Sequence, residues 1–278
     1  MDLNWLQGIV YGFVSGLMDI LPVSAQAHRV LLLKLFGIKG SSDLLHLMIH
    51  FALVSALYFN CNAHVVRMSR ARRLSRIPKR KRKRPLDTKS LMDLSMLKTM
   101  LIPVLVGMFL LPYTQKLHSS MIVSALFLFL NGVVLYIPQF LPTGNRDSRN
   151  LSRVEGLLMG LGGMASILPG VSAMGVTTSI ASVCGVDRNY GLDMALLMNL
   201  FVNIGFLVHD ALGLAASGLG TISIMIILQY LVFSISAFGA AMLGIHLMRR
   251  LADNEGHSAV GLYCFGVALF LFILNLIA

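Results

Sequence analysis

Residues 16–28, Gly16-Leu-Met-Asp-Ile-Leu-Pro-Val-Ser-Ala-Gln-Ala-His28, decide how this chain folds. Within a strongly apolar N-terminal stretch they bring together a carboxylate, a proline, a hydroxyl, an amide and an imidazole. A shorter echo, Leu168-Pro-Gly-Val-Ser172, follows just past the middle of the chain. Two polar, interrupted segments at corresponding places in two apolar halves are typical of a binding site at the interface of an internal repeat.

Composition places the chain in a membrane. Of its 278 residues 56% are hydrophobic and only 13% are charged, whereas a soluble domain carries about 25% charged residues. The N-terminus lacks the basic segment and the small-residue cleavage site of a signal peptide, so insertion is expected to depend on the membrane spans themselves. The three cysteines, Cys61, Cys184 and Cys264, have no metal or redox spacing and are interpreted as apolar helix residues.

The net charge of +11 comes from one segment. Eleven lysines and arginines lie between Arg67 and Arg84, with no acidic residue among them. A short basic loop beside a membrane span is retained in the cytoplasm, and it also attracts anionic lipid head groups. In a chain this apolar, the run does not indicate a nucleic-acid partner.

The apolar pattern predicts the same plan in each half of one membrane domain, residues 1–278. The fold class is all-α and polytopic. Each half, 1–142 and 143–278, consists of a re-entrant helical hairpin followed by three transmembrane helices, because each apolar piece of residues 1–40 is shorter than the ~20 residues that a span needs. The second hairpin is Val154–Val186, and the predicted spans are Leu44–Asn60, Leu94–Pro112, Ser119–Phe140, Leu192–Leu214, Ile222–Leu247 and Ser258–Ile277.

Three crossings in each half predict that the two halves are inverted relative to each other. With the basic loop 64–89 in the cytoplasm, the 143–153 linker and the loop containing Arg249 and Arg250 fall on the same side. The opposite loops, near 114–118 and 216–220, carry only Lys116. This distribution follows the positive-inside rule, and it predicts that the Gly16–His28 hairpin opens to the outside.

Three residues of the first hairpin are candidates for chemistry. Asp19 is an ionisable group in a short apolar hairpin, which by default suggests a function, although it can also cap the next segment. Ser24 is well placed to N-cap the second helix of the hairpin, and a helix N-terminus also binds anions. His28 can act as an acid, a base or a phosphate donor, or it can be a satisfied interior histidine.

The second hairpin and the first span add further polar residues. Small and hydroxyl residues around Ser172 and Thr177 suit either a phosphate or close helix packing. His46 and His50 are spaced i,i+4 and share one helix face. With Asp19 they are a candidate metal site, although histidines that line a polar cavity are the alternative.

At these residues the sequence resembles the undecaprenyl-pyrophosphate phosphatase family, the bacitracin-resistance membrane enzymes, over nearly the whole chain. The family motifs are Leu-Pro-(Val/Ile)-Ser-Ser-Thr-Gly-His and Pro-Gly-(Thr/Phe)-Ser-Arg-Ser-Gly-Ala-Thr. Here they read Leu21-Pro-Val-Ser-Ala-Gln-Ala-His28 and Pro169-Gly-Val-Ser-Ala-Met-Gly-Val-Thr177. The resemblance implies an inverted-repeat fold and a polyprenyl phosphate or pyrophosphate ligand, with phosphate-binding residues Ser24, Gln26, His28, Gly170, Ser172, Gly175 and Thr177.

The departures from the family pattern fall on the chemistry. Ser15 stands where the family has its first glutamate, and Asp19 shortens the second. Ala25 replaces the second serine of the first motif, and Ala173 replaces the arginine of the second motif. Loss of an arginine that stabilises a transferring phosphoryl group can slow turnover by about 10³-fold or more.

Two functions therefore remain. The first is a phosphatase acting on the polyprenyl lipid carrier of cell-envelope synthesis, with Asp19, His28 and Ser24 as catalytic residues and, by resemblance, a divalent Mg²⁺ or Ca²⁺ ion at Asp19, His46 and His50. The second is a non-hydrolytic carrier that binds polyprenyl phosphate and moves it across the bilayer. In both, the partners are the lipid and a bacterial plasma membrane, not nucleic acid, and a homodimer is the open alternative to a monomer.

Overall fold

The chain folds into ten α-helices in a computed structural model that describes residues 3–38, 40, 42–114, 117–218, 223–253 and 257–277. The helices run in this order: α1 Trp5–Ile20, α2 Ala25–Leu35, α3 Asp43–Ser75, α4 Thr88–Thr114, α5 Met121–Tyr136, α6 Arg153–Ala165, α7 Ala173–Val183, α8 Arg188–Ser217, α9 Ile224–Asp253 and α10 His257–Ile277. No β-strand forms within the described part of the chain, apart from an isolated bridge between Arg146 and Val186. The prediction of an all-α protein is confirmed.

Among the residues that the structure describes, six helices are long and apolar enough to cross a membrane: α3, α4, α5 with the 3₁₀ turn Ile137–Phe140, α8, α9 and α10. They match the six spans predicted from the sequence, and the chain is a multi-pass membrane protein. Two shorter helices precede the three spans in each half, α1 and α2 in the first and α6 and α7 in the second. Some predicted positions lie outside the described residues: Lys116 and residues 219–220 of the expected external loops, and Ile222 at the expected start of a span.

The predicted loop 64–89 is helical in its first part, which corrects the expected start of the loop. The end of the first membrane span within α3 stays a prediction. Helix α3 runs for 33 residues, to Ser75, or about 50 Å at 1.5 Å per residue. A bilayer core is only about 30 Å thick. Residues 61–75 contain no glycine or proline, and good helix formers therefore continue the helix until Ile77-Pro78 ends it.

Glycines allow close contact between short helices and spans from the other half of the chain. Helix α1 packs on α9, and α6 packs on α4. A Cβ atom at Gly12 would collide with the carbonyl oxygen of Phe233, and one at Gly160 would collide with that of Met100. Small residues at such contacts let helix backbones approach each other closely within a membrane. The first helix of each half, α1 or α6, therefore packs closely against a membrane span of the other half.

An ion pair fixes the linker between the halves at the end of the bundle that carries the basic segment. Arg146 binds both carboxylate oxygens of Glu155 and donates to the carbonyl of Cys184 at 2.7 Å. Hydrogen bonds from the arginine lower the pKa of Glu155 to about 2. Nearby, Ser148 donates to Asp93 of α4 at 2.5 Å. The linker is thereby tied to α4, α6 and the end of α7.

Candidate functional site

The loops of the two short-helix pairs meet each other deep inside the protein. Ser24 N-caps α2, as the sequence predicts, and Ser172 N-caps α7 in the same way. The Ser24 Oγ also accepts a hydrogen bond from the Gly170 N–H at 3.1 Å, and Ser172 Oγ donates to the Leu21 carbonyl at 3.4 Å. Two segments about half a chain apart are therefore joined directly, and the N-termini of α2 and α7 lie side by side.

Asn131 of α5 bridges the two loops. Its Nδ2 donates to the carbonyl of Pro22 at 3.2 Å, and its Oδ1 accepts from the N–H of Ser172 at 3.0 Å. The side chain is only 1% exposed. Asn131 is one of few polar residues within an apolar span, and that is the signal by which sequence analysis could have found it.

A polar cavity of about 440 Å³ opens beside the joined loops. Its walls come from the end of α1, the starts of α2, α3 and α7, the later half of α8, and the segments around Leu111, His118 and Ser166. The lining includes Asp19, Ser24, Gln26, Ser172, His46 and His50 from the sequence-predicted set, together with Arg29, Asp43, His118, Asn199, Phe206, His209 and Asp210. Since α3 begins at this cavity and ends in the basic segment, the cavity lies at the opposite end of the bundle.

Two amides of α8 hold the carboxylate of Asp19. Asn199 Nδ2 and Asn203 Nδ2 donate to its Oδ2 at 3.1 and 2.9 Å. Within the described part of the chain no partner contacts the other oxygen, Oδ1. Asn199 and Asn203 lie one helical turn apart, but the sequence alone gave no reason to pair them with a residue 180 positions earlier.

His28 points away from the cavity. Its Nδ1 lies 2.6 Å from the carbonyl oxygen of Ser24, and its Nε2 lies 2.8 Å from the hydroxyl of Tyr263 on α10, with the two rings stacked. In a neutral imidazole with this geometry Nδ1 donates to the carbonyl and Nε2 accepts from the hydroxyl. His28 thus links α2 to α10, and its catalytic role stays a prediction.

The other predicted phosphate-binding residues separate into two groups. Gln26 lines the cavity and donates to the carbonyl of His118 at 3.2 Å. Gly170, Gly175 and Thr177 stand behind the walls: the Thr177 hydroxyl donates to the carbonyl of Met159 at 3.1 Å, and the space next to Gly175 is filled by Pro22. Their part in binding a phosphate stays a prediction.

The two histidines of α3 line the cavity but have separate partners. His46 Nε2 lies 3.0 Å from the Tyr11 hydroxyl, and His50 Nδ1 lies 2.6 Å from Oδ2 of Asp210. Across the described residues, no group of three or more His, Cys, Asp or Glu side chains could hold a metal ion. The three predicted ligands, one carboxylate and two imidazoles, do not fit a Ca²⁺ site built from protein groups alone, which takes six to eight oxygen ligands. A metal at Asp19, His46 and His50 remains a sequence prediction.

Sequence reasoning missed Arg29 and His118. Arg29 follows His28 on α2 and is only 9% exposed. The signal was a basic residue directly before the apolar run Val30–Leu33. His118 lies between α4 and α5, and its Nε2 donates to the carbonyl of Ile167 at 2.8 Å. Burial lowers the pKa of His118, which favours the neutral imidazole.

The chain is similar to known proteins over nearly its whole length. The family model described as "Bacitracin resistance protein BacA" matches residues 8–270. The chain is 29% identical to the undecaprenyl-diphosphatase of Methanobrevibacter smithii, covering 96% of each chain. It is 25% identical to that of Thermosipho africanus, covering 96% of this chain and 99% of the relative. It is also 24% identical to undecaprenyl-diphosphatase 1 of Shouchella clausii, covering 98% and 96%. This chain belongs to the bacitracin resistance protein BacA family.

Proposed function

We propose that this protein is a membrane phosphatase that removes the terminal phosphate of a polyprenyl diphosphate bound in the cavity beside Ser24 and Ser172. The observation that carries the proposal is the meeting of two helix N-termini at one polar cavity. The N–H groups of a helix's first turn have no partner within the helix, and with the helix dipole they favour an anion. Two such termini side by side suit a ligand with two phosphate groups.

Asp19 is the proposed proton acceptor. In the reaction, the oxygen of a water molecule forms a bond to the terminal phosphorus, and the bond from that phosphorus to the bridging oxygen breaks. The electron pair of the broken bond stays on the bridging oxygen of the polyprenyl phosphate. Asp19 Oδ1 takes a proton from the water, because Oδ2 is occupied by two amides. Positioned proton transfer of this kind contributes about 10²- to 10⁴-fold in rate.

Ser24 and His28 are proposed to position the phosphate-binding loops rather than to attack the substrate. The Ser24 Oγ already accepts hydrogen bonds from the N–H groups of Ala27 and Gly170. His28 ties α2 to α10 through Tyr263. Both residues therefore fix the helix start that faces the cavity, without presenting a free nucleophile to it.

An apolar groove offers a path for the polyprenyl tail. Leu47, Met48 and Phe51 of α3 line this groove of about 530 Å³ together with side chains of α8 and α9. His46 and His50, on the adjacent face of the same turns of α3, line the cavity. Head group and tail of one lipid would thus lie at the same depth, on neighbouring faces of one helix.

We further propose that the two halves form an inverted repeat with the cavity on the outer face of the membrane. The order of short and long helices is the same in both halves, and the α1–α9 contact corresponds to the α6–α4 contact. The cavity lies at the end opposite to the basic segment, which the positive-inside rule assigns to the cytoplasm. A cysteine introduced at Arg80 should then react with impermeant reagents only after the cells are opened.

Binding or translocation without hydrolysis is the second candidate. It is favoured by the cavity wall itself, where Ala25 and Ala173 stand at the positions of a serine and an arginine in the resembling motifs. Helix N-termini bind a phosphate without either side chain. In this case the protein would bind polyprenyl phosphate and leave it intact.

Phosphate release from a polyprenyl diphosphate distinguishes the two candidates. Purified protein in detergent is incubated with undecaprenyl diphosphate, with a chelator or with added Mg²⁺ or Ca²⁺, and inorganic phosphate is measured. We expect release by the wild type, a fall of about 10²-fold or more for Asp19→Asn, and unchanged release for Asp147→Asn, which alters a carboxylate at the opposite end of the bundle. No release by the wild type under any of these conditions would refute the phosphatase.

A further inference from the structure

Arg29 is a buried cation at the cavity wall, and no residue within the described part of the chain pairs with it. The side chain is 9% exposed and lines the same cavity as Ser24 and Ser172. Its Nε has no hydrogen-bond partner, and no ion pair to its guanidinium is formed by any residue that the structure describes. A buried charge of this kind is costly unless something compensates it.

The carboxylates that line the cavity together with Arg29 are hydrogen-bonded to other residues or exposed. Asp210 is paired with His50 at 2.6 Å, and Asp19 is held by two amides of α8. Asp43 is exposed in the first turn of α3, where the helix dipole stabilises it. The charge of Arg29 acts on Asp210, Tyr11, His46 and His118. Of these groups only Asp210 is an anion at neutral pH, and its carboxylate is already bound to His50. The wall at Arg29 therefore presents positive charge to the cavity.

We propose that Arg29 binds the terminal phosphate of the diphosphate and supplies the positive charge for its transfer. This inference rests on the proposed function. Ala173, at the position of the arginine in the second motif of the resembling family, lines the same cavity. The guanidinium would thus come from the first hairpin, on α2, instead of from the second hairpin, on α7.

The geometry of the guanidinium suits this role. Arginine offers a planar fork of donors that matches phosphate oxygens bidentately, and it keeps its charge when buried. At Arg29 that charge adds to the N-terminal dipoles of α2 and α7, so three positive features converge on one cavity. Charge that is fixed in place before the reaction stabilises the phosphoryl group in the transition state more than in the ground state.

The test compares Arg29→Met, Arg29→Lys and the double variant Arg29→Met/Ala173→Arg with the wild type. Two quantities are measured on the purified full-length protein: the affinity for inorganic pyrophosphate by calorimetry, and phosphate release from farnesyl diphosphate. Arg153→Met, which removes an exposed arginine at the opposite end of the bundle, is the matched control. Thermal unfolding of every variant confirms that it is folded.

We expect Arg29→Met to lose about 10²-fold or more in kcat/KM, and its pyrophosphate affinity to fall about tenfold or more. The kcat/KM and the pyrophosphate affinity of Arg29→Lys should lie between those of the wild type and Arg29→Met, because lysine keeps the charge but not the planar fork of donors. Ala173→Arg in the Arg29→Met background should recover at least about tenfold of the loss. A merely structural role of Arg29 would not produce rescue from the other hairpin.

The possible failures are distinguishable. If the wild type binds pyrophosphate in an Arg29-dependent manner but releases no phosphate, the proposed hydrolysis is wrong and the role of Arg29 in binding stands. If Arg29→Met binds pyrophosphate and releases phosphate as the wild type does, the role of Arg29 is refuted. If Arg29→Met does not fold, the same result for Arg29→Lys refutes it. If the double variant is no better than Arg29→Met, the idea that Arg29 replaces the motif arginine is refuted.

Discussion

Replacement of Asn131 by leucine should separate the two loops that form the floor of the site. Leucine branches at Cγ as asparagine does, but it neither donates nor accepts a hydrogen bond. It would leave the Pro22 carbonyl and the Ser172 N–H without the partners that now lie 3.2 and 3.0 Å away. Both groups belong to loops packed against each other through Ser24 and Gly170, where water has little access.

The expected loss follows from the number of groups left unpaired. A buried donor or acceptor without a partner costs about 1–3 kcal/mol, so the two groups together cost about 2–6 kcal/mol. The new methyl groups return little, because lipid tails are as apolar as leucine and give no hydrophobic gain inside the membrane. For a chain of this size each kcal/mol lowers the midpoint of thermal unfolding by about 2–4 °C, so a decrease of about 4 °C or more is expected.

The assay is thermal unfolding in one detergent, with phosphate release measured well below the midpoint. The matched control is Asn62→Leu, the same substitution at an exposed position of α3. Asn131→Leu should unfold earlier than Asn62→Leu and should release phosphate more slowly, since the start of α7 is no longer held. A midpoint within about 1 °C of the control would refute the assignment of Asn131 as the bridge between the loops.

Three further perturbations test separate parts of the structure. Gly160→Ala should destabilise by about 1–3 kcal/mol through a collision with a carbonyl oxygen of α4. The control is Gly239→Ala in α9, where nothing lies within 4 Å, and it should unfold at or slightly above the wild-type temperature because alanine favours a helix more than glycine does. Equal midpoints of the two variants would contradict the close contact. The stability contributed by ionised Glu155 is present above its ordinary pKa of 4.5 and is lost as the pH falls towards about 2. Between these pH values the unfolding midpoint of the wild type should therefore fall further than that of Glu155→Gln. Parallel curves of midpoint against pH would argue against the ion pair. Asn203→Leu removes one of the two amide hydrogen bonds to the Asp19 carboxylate and should slow phosphate release by about tenfold or more. In an Asp19→Asn background it should have no added effect. Additive losses would show that Asn203 acts through another residue.

The sequence predicts where the helices lie along the chain better than it predicts which helices pack against each other. Length and hydropathy are local properties, so the six spans and the two short-helix pairs follow from the residues themselves. Which helix packs on which is set by complementary surfaces far apart in the chain. The contact of Gly12 with Phe233 illustrates this, because each residue alone has many equivalents in an apolar chain. The loop after α3 was predicted to start too early for a different reason: a run of basic residues marks the edge of the membrane but does not stop a helix.

The site shows the same division. Asp19 and Ser24 stand out because polar groups in an apolar hairpin are rare, and the structure places both at the cavity. His28 stands out equally, yet its imidazole turns towards Tyr263, since spacing along a helix gives a face but not the neighbour that occupies it. Arg29 and Asn131 carry the same kind of signal as Asp19. Neither Arg29 nor Asn131 was predicted as a site residue, because neither belongs to the two family motifs.

The charges at the cavity argue for an anionic ligand independently of the family. Ser24 and Ser172 start two helices at one place, and the positive ends of both dipoles lie beside the guanidinium of Arg29. Asp210 and Asp19 line the same cavity, but Asp210 is hydrogen-bonded to His50 and Asp19 to the amides of α8, and neither forms an ion pair with that guanidinium. An apolar interior would relieve such an imbalance by placing a carboxylate against the arginine. A cavity of about 440 Å³ in its place leaves the compensation to a bound molecule, and a phosphate group has the charge, the acceptors and the size to supply it.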